Sequence, residues 1–412
     1  MSRISSLALD TSVVAATELS GVTYLGPSPV SGKHRFAAVQ DSGGQLISFD
    51  VEFSAAGALT SAATVSATTL AASLDFEGAA YTNPMRNSVF LSEENNPGVQ
   101  EYDLATGSLL QNIAIPAVFT NIAGNRGFES LARNPAGTVM WTANEEALAV
   151  DGPLATSSAG SPVRLLELAV AGNTVSAGRQ YVYQVEKIHG SLTFGSPQSG
   201  LTDLVALPDG TLLALERSVA VTSPLYLNRI FEVSFDLATD VSVAWYSSGL
   251  IDQPAYVSVG KELLWAGAAD GSNGQNLEGL TLGPRLPNGN WTLLGVVDDG
   301  DTLSSNTIVS FELSANPSAD FDGDNDIDAV DFLAWQRGFG ISIEAAFSSG
   351  DADRDGDIDQ DDLAYWESSL AIAVGGVDLA VPEPSSSVTT CLLVLLSSIT
   401  VRFRTSRHPQ QP

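Results

Sequence analysis

Short apolar segments, each bounded by glycine, proline or serine, recur along the chain from Val22 onward. The first are VTYLG, HRFAAVQ and QLISFDVEF, and a stretch rich in Ser, Ala and Thr follows them up to Ser73. Runs of this length with such boundaries are typical of β-strands separated by tight turns. The pattern predicts an all-β domain over most of the chain.

One arrangement of strands and acids occurs four times. In Asp75–Glu94, DFEGAAYTNPMRNSVFLSEE, an acidic residue opens an apolar strand, a turn rich in Pro and Asn follows, and a second strand ends on another acid. The arrangement returns in GFESLARNPAGTVMWTANEE, GLTDLVALPDGTLLALER and NLEGLTLGPRLPNGNWTLLGVVDDGD. A repeat of roughly 50 to 75 residues indicates sheet units in a closed array, so we predict a β-propeller.

The spacing of the strands favours about six blades. The second blade is the clearest, because EGAAYT, SVFLSEE, VQEYDL and QNIAIP supply four short strands. The third and fourth blades cover approximately residues 126–186 and 201–245, a weak unit follows at 246–275, and residues 276–313 close the series. Five blades are the alternative, since the unit at 246–275 is poorly marked.

Composition narrows the classes of partner. The chain has 412 residues, 44% of them hydrophobic, and a formal net charge of −30. Residues 320–367 hold 15 acids against two Lys or Arg, a density that requires cations nearby. Binding to nucleic acid needs clustered Lys and Arg, which this sequence lacks. The single cysteine, Cys391, excludes an intrachain disulfide, so burial alone must stabilise the core.

The repeated acids are candidates for one shared site. Innermost strands of a propeller begin near its axis, so equivalent acids of successive blades converge at one end of the channel. Converging carboxylates repel one another unless a cation lies among them, and Ca²⁺ accepts carboxylates from separate loops. The predicted ring comprises Glu77, Glu94, Glu129, Glu145, Asp203, Glu216, Glu278 and Asp298. The alternative is that these acids merely form turns with the neighbouring glycines.

The motifs DFEG, SEEN, NRGFESLA, TANEE, GLTDLVALPDGTLLALERS and NLEGLTL, in this order, resemble the phytase-like domain family, described as having esterase-like activity. The resemblance covers approximately residues 22–315. It implies a propeller with an acidic metal-binding face that hydrolyses phosphate esters, in which bound metal positions water and a basic residue supports developing charge. The candidate catalytic residues are Glu77, Glu129, Asp203, Glu278, Arg126 and Arg217. Salt bridges to neighbouring glutamates are the alternative role for both arginines.

Two acidic loops near the C-terminus match the calcium loop of an EF-hand at positions 1, 3, 5, 7, 9 and 12. The first loop, DFDGDNDIDAVD, places Asp320, Asp322, Asp324, Asp326, Asp328 and Asp331 there. The second, DADRDGDIDQDD, places Asp351, Asp353, Asp355, Asp357, Asp359 and Asp362 there. Position 12 is Asp instead of Glu, and position 6 is Asn325 in one loop and Gly356 in the other. The spacing predicts calcium binding by both loops.

Each loop leads into one apolar helix, FLAWQRGFG or LAYWESSLA, and no helix precedes it. This paired half-hand resembles a type I dockerin over approximately residues 319–370. Dockerins bind cohesin modules through their helices, so the resemblance implies attachment to a scaffold or cell surface. Because so many carboxylates repel one another without a cation, folding of this small all-α unit is expected to depend on calcium.

The C-terminal residues Val381-Pro-Glu-Pro, the apolar run 388–401 and the arginines after it resemble a PEP-CTERM sorting signal. A run of 14 residues is short for a bilayer span, and we expect a transient or processed membrane tail. Export to a bacterial envelope or secretion is therefore expected, although the N-terminus lacks the apolar core of a signal peptide. The predicted parts are 1–20 as an N-terminal segment, 21–318 as the propeller, 319–370 as the dockerin, 371–380 as a linker and 381–412 as the sorting tail.

The sequence leaves two alternatives to ester hydrolysis open. The propeller is either a calcium-dependent hydrolase of phosphate or other esters, or a non-catalytic ligand-binding or structural module that calcium stabilises. A lactonase-type propeller is the second alternative, and it would use one metal held by carboxylates together with Asn144 or Asn276.

Overall fold

The computed structural model describes residues 1–124, 126–191, 199–208, 210–300, 303–314, 318–322, 327–342 and 345–374. Within them, twenty strands form five antiparallel sheets of four strands each. The first sheet contains β2 (Leu19–Pro27), β3 (His34–Gln40), β4 (Gln45–Phe53) and β5 (Leu59–Thr69). The second contains β6 (Phe76–Tyr81), β7 (Ser88–Glu93), β8 (Gly98–Asp103) and β9 (Leu109–Ile113).

The remaining three sheets complete the all-β domain. The third contains β10 (Ala132–Arg133), β11 (Val139–Ala143), β12 (Ser161–Ala171) and β13 (Thr174–Val185). The fourth contains β14 (Ser199–Ala206), β15 (Leu212–Val219), β16 (Tyr226–Ser234) and β17 (Gly260–Gly267). The fifth contains β18 (Leu277–Arg285), β19 (Trp291–Val297), β20 (Thr307–Leu313) and, from the other end of the chain, β1 (Ser2–Ala8).

The predicted β-propeller is confirmed, and it has five blades, the lower of the two numbers that the sequence allowed. The count of six is wrong because the stretch ELLWAGAAD is not a separate unit. It forms β17, which pairs with β16 as the outermost strand of the fourth blade. The long connection between these two strands, residues 235–259, separates them in the sequence and hides their pairing.

The hydrophobic core consists of layers between the blades, one for each pair of neighbouring blades. The alternation of side chains along a strand explains this, because a strand in a blade is buried on both faces. On β7, Val89 and Leu91 pack toward the first blade, whereas Phe90 packs toward the third. This is why the central strands read as continuous apolar runs instead of alternating with polar residues.

The N-terminal strand β1 closes the ring. It pairs with β20 along its length and so becomes the outermost strand of the fifth blade. Leu7 packs into the core between the fifth and first blades, and Arg3 Nε donates a hydrogen bond of 2.6 Å to the carbonyl oxygen of Ala269. The segment of residues 1–20 is therefore continuous with the propeller.

The innermost strands of neighbouring blades approach one another closely. At two of the contacts, the residue on one strand has no room for a side chain and is glycine. A Cβ atom on Gly78 would lie 2.5 Å from the backbone nitrogen of Leu131 in the third blade. One on Gly279 would lie 2.4 Å from the carbonyl oxygen of Ser20 in the first blade. Glycine at these positions lets the inner strands form a narrow channel wall, and it fixes where the preceding residue points.

A small helical unit follows the propeller. It contains α1 (Ala329–Gly338) and α2 (Gln360–Val374) around a core that includes Phe321, Trp335 and Ile358. Two of the predicted calcium ligands, Asp324 and Asp326, and the whole tail 381–412 lie outside the described residues. None of the described helices has the length and hydropathy needed to cross a lipid bilayer.

The close approach at Gly78 can be tested by adding a methyl group. We expect Gly78→Ala to lower the free energy of unfolding by about 2 kcal/mol, because the clash is with backbone that cannot rotate away. The matched control is Gly260→Ala on β17, whose Cβ would be 3.5 Å from its nearest neighbour. That change should stay within about 0.5 kcal/mol. Equal destabilisation of both variants in urea unfolding would contradict this account.

Ring closure can be tested by removing β1. Deleting residues 2–8 leaves β20 with an unpaired edge and exposes part of the core between the fifth and first blades. We expect the melting temperature to fall by about 10 °C or more, measured by calorimetry. A control that deletes residues 406–412, the same number at the other terminus, should leave the melting temperature unchanged, and the role of β1 fails if both deletions act alike.

Candidate functional site

A cavity of about 290 Å³ opens at one end of the central channel. Seven carboxylates and one guanidinium line it, together with the phenol of Tyr226 and the amide of Asn276. The carboxylates belong to Asp41, Glu77, Glu94, Glu129, Glu145, Glu278 and Asp298, and the guanidinium belongs to Arg217. Six of the eight acids in the predicted ring therefore meet at one site, and Asp41 joins them.

The cavity is built from two positions that repeat in every blade. In each blade, one residue of the innermost segment pairs with a residue near the end of the second strand. The first repeated position is the residue directly after this innermost partner. In blade order it is occupied by Ser20, Glu77, Glu129, Thr202 and Glu278. The three glutamates line the cavity. Ser20 Oγ donates a hydrogen bond to the Glu77 carboxylate, so the hydroxyl of the first blade supports the acid of the second.

The second repeated position lies just beyond the paired residue at the end of the second strand. In blade order it is occupied by Asp41, Glu94, Glu145, Arg217 and Asp298, and all five line the cavity. Four blades thus present an acid at this position and the fourth blade presents an arginine. The fivefold arrangement of backbone is filled asymmetrically, which places the positive charge on one side of the mouth.

Asp203 and Glu216 do not join this cavity, because each lies one residue away from the equivalent position. Along a strand, a shift of one residue sends the side chain to the opposite face. Asp203 Oδ2 accepts a hydrogen bond of 2.7 Å from the amide of Leu280, which ties the inner strand of the fourth blade to that of the fifth. The predicted site residue Asp203 therefore lies outside the acidic cavity and links two inner strands.

Glu216 points into the layer between the third and fourth blades. Its carboxylate accepts hydrogen bonds from the Tyr183 hydroxyl at 2.8 Å and from Lys261 Nζ at 2.7 Å. It also accepts a bond of 3.0 Å from the amide of Glu186. The side chain is fully buried. These partners satisfy Glu216 away from the channel, so it does not act as a ligand of the mouth.

The two predicted arginines differ in their placement. Arg126 does not line the cavity; its Nε lies 3.1 Å from the Glu146 carboxylate. The alternative of a salt bridge to a neighbouring glutamate therefore describes Arg126. Arg217 also makes salt bridges, to Glu145 and Glu278, but it does so inside the cavity. Of the two predicted arginines, Arg217 is therefore the one that lines the cavity.

Arg217 connects the third, fourth and fifth blades across the mouth. Its Nη2 donates a hydrogen bond of 2.6 Å to Glu145, and its Nη1 donates one of 2.7 Å to the amide oxygen of Asn276 and another to Glu278. The amide nitrogen of Asn276 in turn donates bonds of 2.9 Å to Glu278 and to Asp298. This network orients three carboxylates and holds the guanidinium in a fixed place.

Burial raises the pKa of most carboxyl groups at the mouth. It raises the pKa of Glu77 and of Glu129 well above their ordinary range, with neighbouring carboxylates adding to the effect. It raises the pKa of Glu94 and of Asp41 to about 8. Burial also raises the pKa of Glu278 to about 7, although Arg217 opposes the rise. These shifts all favour the protonated carboxyl groups, and a bound cation would oppose them.

The chemistry of the donors fits a hard divalent cation on the side of the second and third blades, next to the Glu145 carboxylate that Arg217 also contacts. One carboxylate oxygen each from Glu94, Glu129 and Glu145 lies within 4.8 Å of the other two, and all three residues are buried. A second group of the same kind combines Asp41, Glu77 and Asp75, which precedes β6. Carboxylate oxygens are the ligands that Ca²⁺ prefers, and its flexible geometry suits acids on separate strands.

The two asparagines of the lactonase alternative are not equivalent in the structure. Asn276 lines the cavity, whereas Asn144 is buried against the third blade. Asn144 Oδ1 accepts a hydrogen bond of 3.0 Å from the amide of Arg164, and its Nδ2 donates to the carbonyl oxygen of Glu146. Both polar groups of Asn144 are thus used by backbone, and only Asn276 is placed to contact a ligand.

The two acidic loops of the C-terminal unit repeat one pattern of hydrogen bonds. The aspartate at position 12, Asp331 or Asp362, accepts bonds from the backbone amides at positions 2 and 9 of its own loop. Trp335 on α1 donates a bond of 2.8 Å to the carbonyl oxygen of Asp359 in the second loop. Trp366 on α2 donates one of 3.1 Å to that of Asp328 in the first. The two halves are therefore related by an approximate twofold arrangement.

The loops bring their acids together as their spacing predicts. Each group of three carboxylate oxygens below lies within 4.8 Å. The groups are Asp320, Asp322 and Asp331; Asp351, Asp353 and Asp355; and Asp357, Asp359 and Asp362. Burial raises the pKa of Asp351 to about 7 and that of Asp353 to about 6, and neighbouring aspartates add to both shifts.

Two residues that line the cavity, Asp41 and Tyr226, are not among the predicted site residues. Asp41 comes directly after β3, just as Glu94 comes directly after β7. The first blade does not match the repeat, because it has Ser20 where the second blade has Glu77. Asp75 belongs to a candidate cation group with Asp41 and Glu77 but does not line the cavity itself. A search for acids at the end of the second strand alone would have found Asp41.

No curated protein matches this chain. Three solved structures share 10% to 12% identity with it. A luciferin-regenerating enzyme has a TM-score of 0.31 and covers 72% of this chain and 91% of its own. The allergen Mala s 1 of Malassezia sympodialis, at 12% identity, has a TM-score of 0.35 and covers 71% and 77%. An endo-arabinase from Bacteroides thetaiotaomicron, at 11% identity, has a TM-score of 0.41 and covers 74% and 96%.

The TM-scores are too low for these three structures to indicate an activity of this chain. The family comparison is more informative, because residues 15–301 match the sequence profile described as "Phytase-like: Esterase-like activity of phytase". The match includes every residue that lines the acidic cavity. It also spans most of the chain, so the chain belongs to the phytase-like family.

Proposed function

We propose that the propeller is a calcium-dependent hydrolase of phosphate or other esters, and that the reaction takes place at the acidic mouth of the channel. The observation that carries this proposal is the asymmetric ring, in which seven carboxylates face one buried arginine. Arg217 places a fixed positive group beside the candidate cation site. A metal-dependent ester hydrolase can use both, the cation to activate water and the positive group to bind an anionic oxygen.

Calcium fits the group formed by Glu94, Glu129 and Glu145. These residues would hold the ion on the side of the second and third blades, while Arg217 remains on the side of the fourth. When bound, the ion would neutralise substrate oxygens and lower the pKa of bound water. The second group, Asp41, Asp75 and Glu77, offers the same kind of donor.

The remaining residues of the mouth have separate roles in this scheme. Arg217, held by Glu145 and Glu278, supplies fixed positive charge for an anionic substrate oxygen. Glu278, whose pKa burial raises to about 7, accepts a proton from water near neutral pH and acts as the general base. Asn276 orients the Glu278 carboxylate through its amide nitrogen at 2.9 Å.

Two alternatives lead to different expectations. In a non-catalytic propeller, calcium would stabilise the fold and the mouth would turn over no substrate. A lactonase-type propeller would use Asn276 as a ligand beside the carboxylates, and Asn276 lines the cavity. Its two hydrogen-bonding groups already contact Arg217, Glu278 and Asp298, which favours a role in orienting these side chains.

The C-terminal unit is proposed to be a dockerin that binds calcium in both loops and attaches the propeller to a cohesin module or surface scaffold. The repeated hydrogen bonds of Asp331 and Asp362 and the clustered loop acids support this reading. Export to the cell envelope or secretion is the matching location, since millimolar calcium outside the cell suits sites of this kind. The PEP-CTERM-like tail would direct the chain there.

The catalytic proposal can be tested by turnover of nitrophenyl phosphate, phytate and nitrophenyl acetate by the full chain with calcium. We expect Glu278→Gln to lower kcat by about 100-fold or more, because the general base is lost. The matched control is Glu312→Gln on β20, whose carboxylate accepts hydrogen bonds from Asn288 and Asn290 away from the mouth, and it should retain activity. Absence of turnover of all three substrates by the wild-type chain would favour the non-catalytic alternative.

The mouth also predicts a link between pH, calcium and stability. Glu94 binds its proton more tightly when folded, with a pKa of about 8, than when unfolded, where the ordinary value is 4.5. The stability that this proton contributes is complete below pH 4.5 and is lost as the pH rises toward 8. In chelator, the melting temperature should therefore fall across this range.

Calcium should oppose that fall, because the cation replaces the proton among the carboxylates. The measurement is the melting temperature of the propeller between pH 5 and pH 8, with calcium and with chelator. Glu94→Gln should reduce the fall seen in chelator. A melting temperature that responds to pH equally with and without calcium would argue against a cation at the mouth.

A further inference from the structure

The face of the propeller opposite the acidic mouth carries an arginine that its own blade holds in place. Arg285 ends β18, the strand that presents Glu278 to the mouth near its other end. Its Nε donates a hydrogen bond of 2.8 Å to the carbonyl oxygen of Gly289, and its guanidinium lies 5.3 Å from the ring centre of Trp291. The turn between β18 and β19 thus fixes the direction of this side chain.

Arg285 contacts two acids of the second calcium-type loop. Its Nη1 lies 2.9 Å from Asp355 Oδ2, and its Nη2 lies 3.7 Å from Asp353 Oδ1. Its Nη2 also donates a hydrogen bond of 3.2 Å to the Asp353 carbonyl oxygen. Asp353 and Asp355 occupy loop positions 3 and 5, whose carboxylates are direct ligands in an EF-hand. One propeller residue therefore holds two of the acids that calcium requires.

A second set of opposite charges lies beside this contact. Glu232 and Glu262 are directly opposite each other on β16 and β17, an arrangement of like charges that is unfavourable on its own. Arg354, which follows Asp353 in the loop, lines the same cavity as both glutamates. The loop thus offers acids to a propeller arginine and an arginine to propeller acids, so the two surfaces are complementary in charge.

We propose that Arg285 competes with calcium for Asp353 and Asp355, so that calcium binding to the second loop weakens the docking of the C-terminal unit on the propeller. This inference rests on the proposed binding of calcium by the loops. Without calcium, the guanidinium neutralises part of the loop charge and the unit is docked. With calcium, the same carboxylates turn to the cation, and the contact with Arg285 is lost.

Reciprocity makes the proposal quantitative. If the contact with Arg285 and the bound ion exclude each other, the contact lowers the calcium affinity of the second loop by a certain factor. Removing the arginine must then raise that affinity by the same factor. The pair is partly exposed, with 26% exposure for Arg285 and 28% for Asp355, so its worth is that of a surface ion pair. A rise in affinity of about fivefold is expected.

The experiment uses the full chain and calcium alone as the probe. The backbone amide of Gly356, at position 6 of the second loop, is followed by NMR during titration, because the first loop has Asn325 there. Wild type is compared with Arg285→Gln and with Arg337→Gln. Arg337 is exposed on α1 and controls for the loss of one positive charge. The radius of gyration is measured by X-ray scattering with and without calcium.

Three results are distinguishable. An affinity about fivefold higher in Arg285→Gln only, together with a wild-type radius that increases on adding calcium, supports the proposal. Calcium binding that Arg285→Gln leaves unchanged, or a wild-type radius that decreases with calcium, overturns it while leaving calcium binding by the loops intact. No response of Gly356 to calcium in any variant overturns the proposed calcium site itself. The scattering of wild type decides the matter if Arg285→Gln does not fold.

Discussion

The close approach of the five innermost strands is the constraint on which the rest of this structure depends. Where Gly78 and Gly279 meet the backbone of the next blade, there is no room for a side chain. The residue before each glycine is then forced toward the end of the channel. Glutamates at that position lie close to one another, because closure of the ring brings their carboxylates to the same end of the channel.

This concentration of charge explains the chemistry of the mouth. A propeller with an acid at every equivalent position would need its entire charge balance from bound ions. The fourth blade instead places Arg217 where the others place Asp or Glu, and its hydrogen bonds orient Glu145, Glu278 and Asn276. The buried arginine therefore leaves one half of the cavity organised by protein and the other half, with Glu94 and Glu129, suited to a cation.

The C-terminal unit applies the same physics over a shorter stretch of chain. Its acids converge within each loop because they are spaced two residues apart, whereas those of the propeller converge across blades. Arg285 at the second loop has the same role as Arg217 at the mouth. Each arginine supplies positive charge to carboxylates that would otherwise require an ion. Opposite ends of β18 thus take part in both acidic sites, through Glu278 and Arg285.

The sequence by itself determined the local features: the all-β strands, the acids at strand ends and the loop spacing around Asp351, because these depend on neighbours a few residues apart. Only the tertiary structure decided the blade number, since β17 pairs across a long connection and β1 closes the ring from the other terminus. It also removed Asp203 and Glu216 from the mouth and added Asp41. A strand alternates its faces at every residue, so a shift of one position, invisible in a repeat pattern, sends a carboxylate into the core instead of the channel.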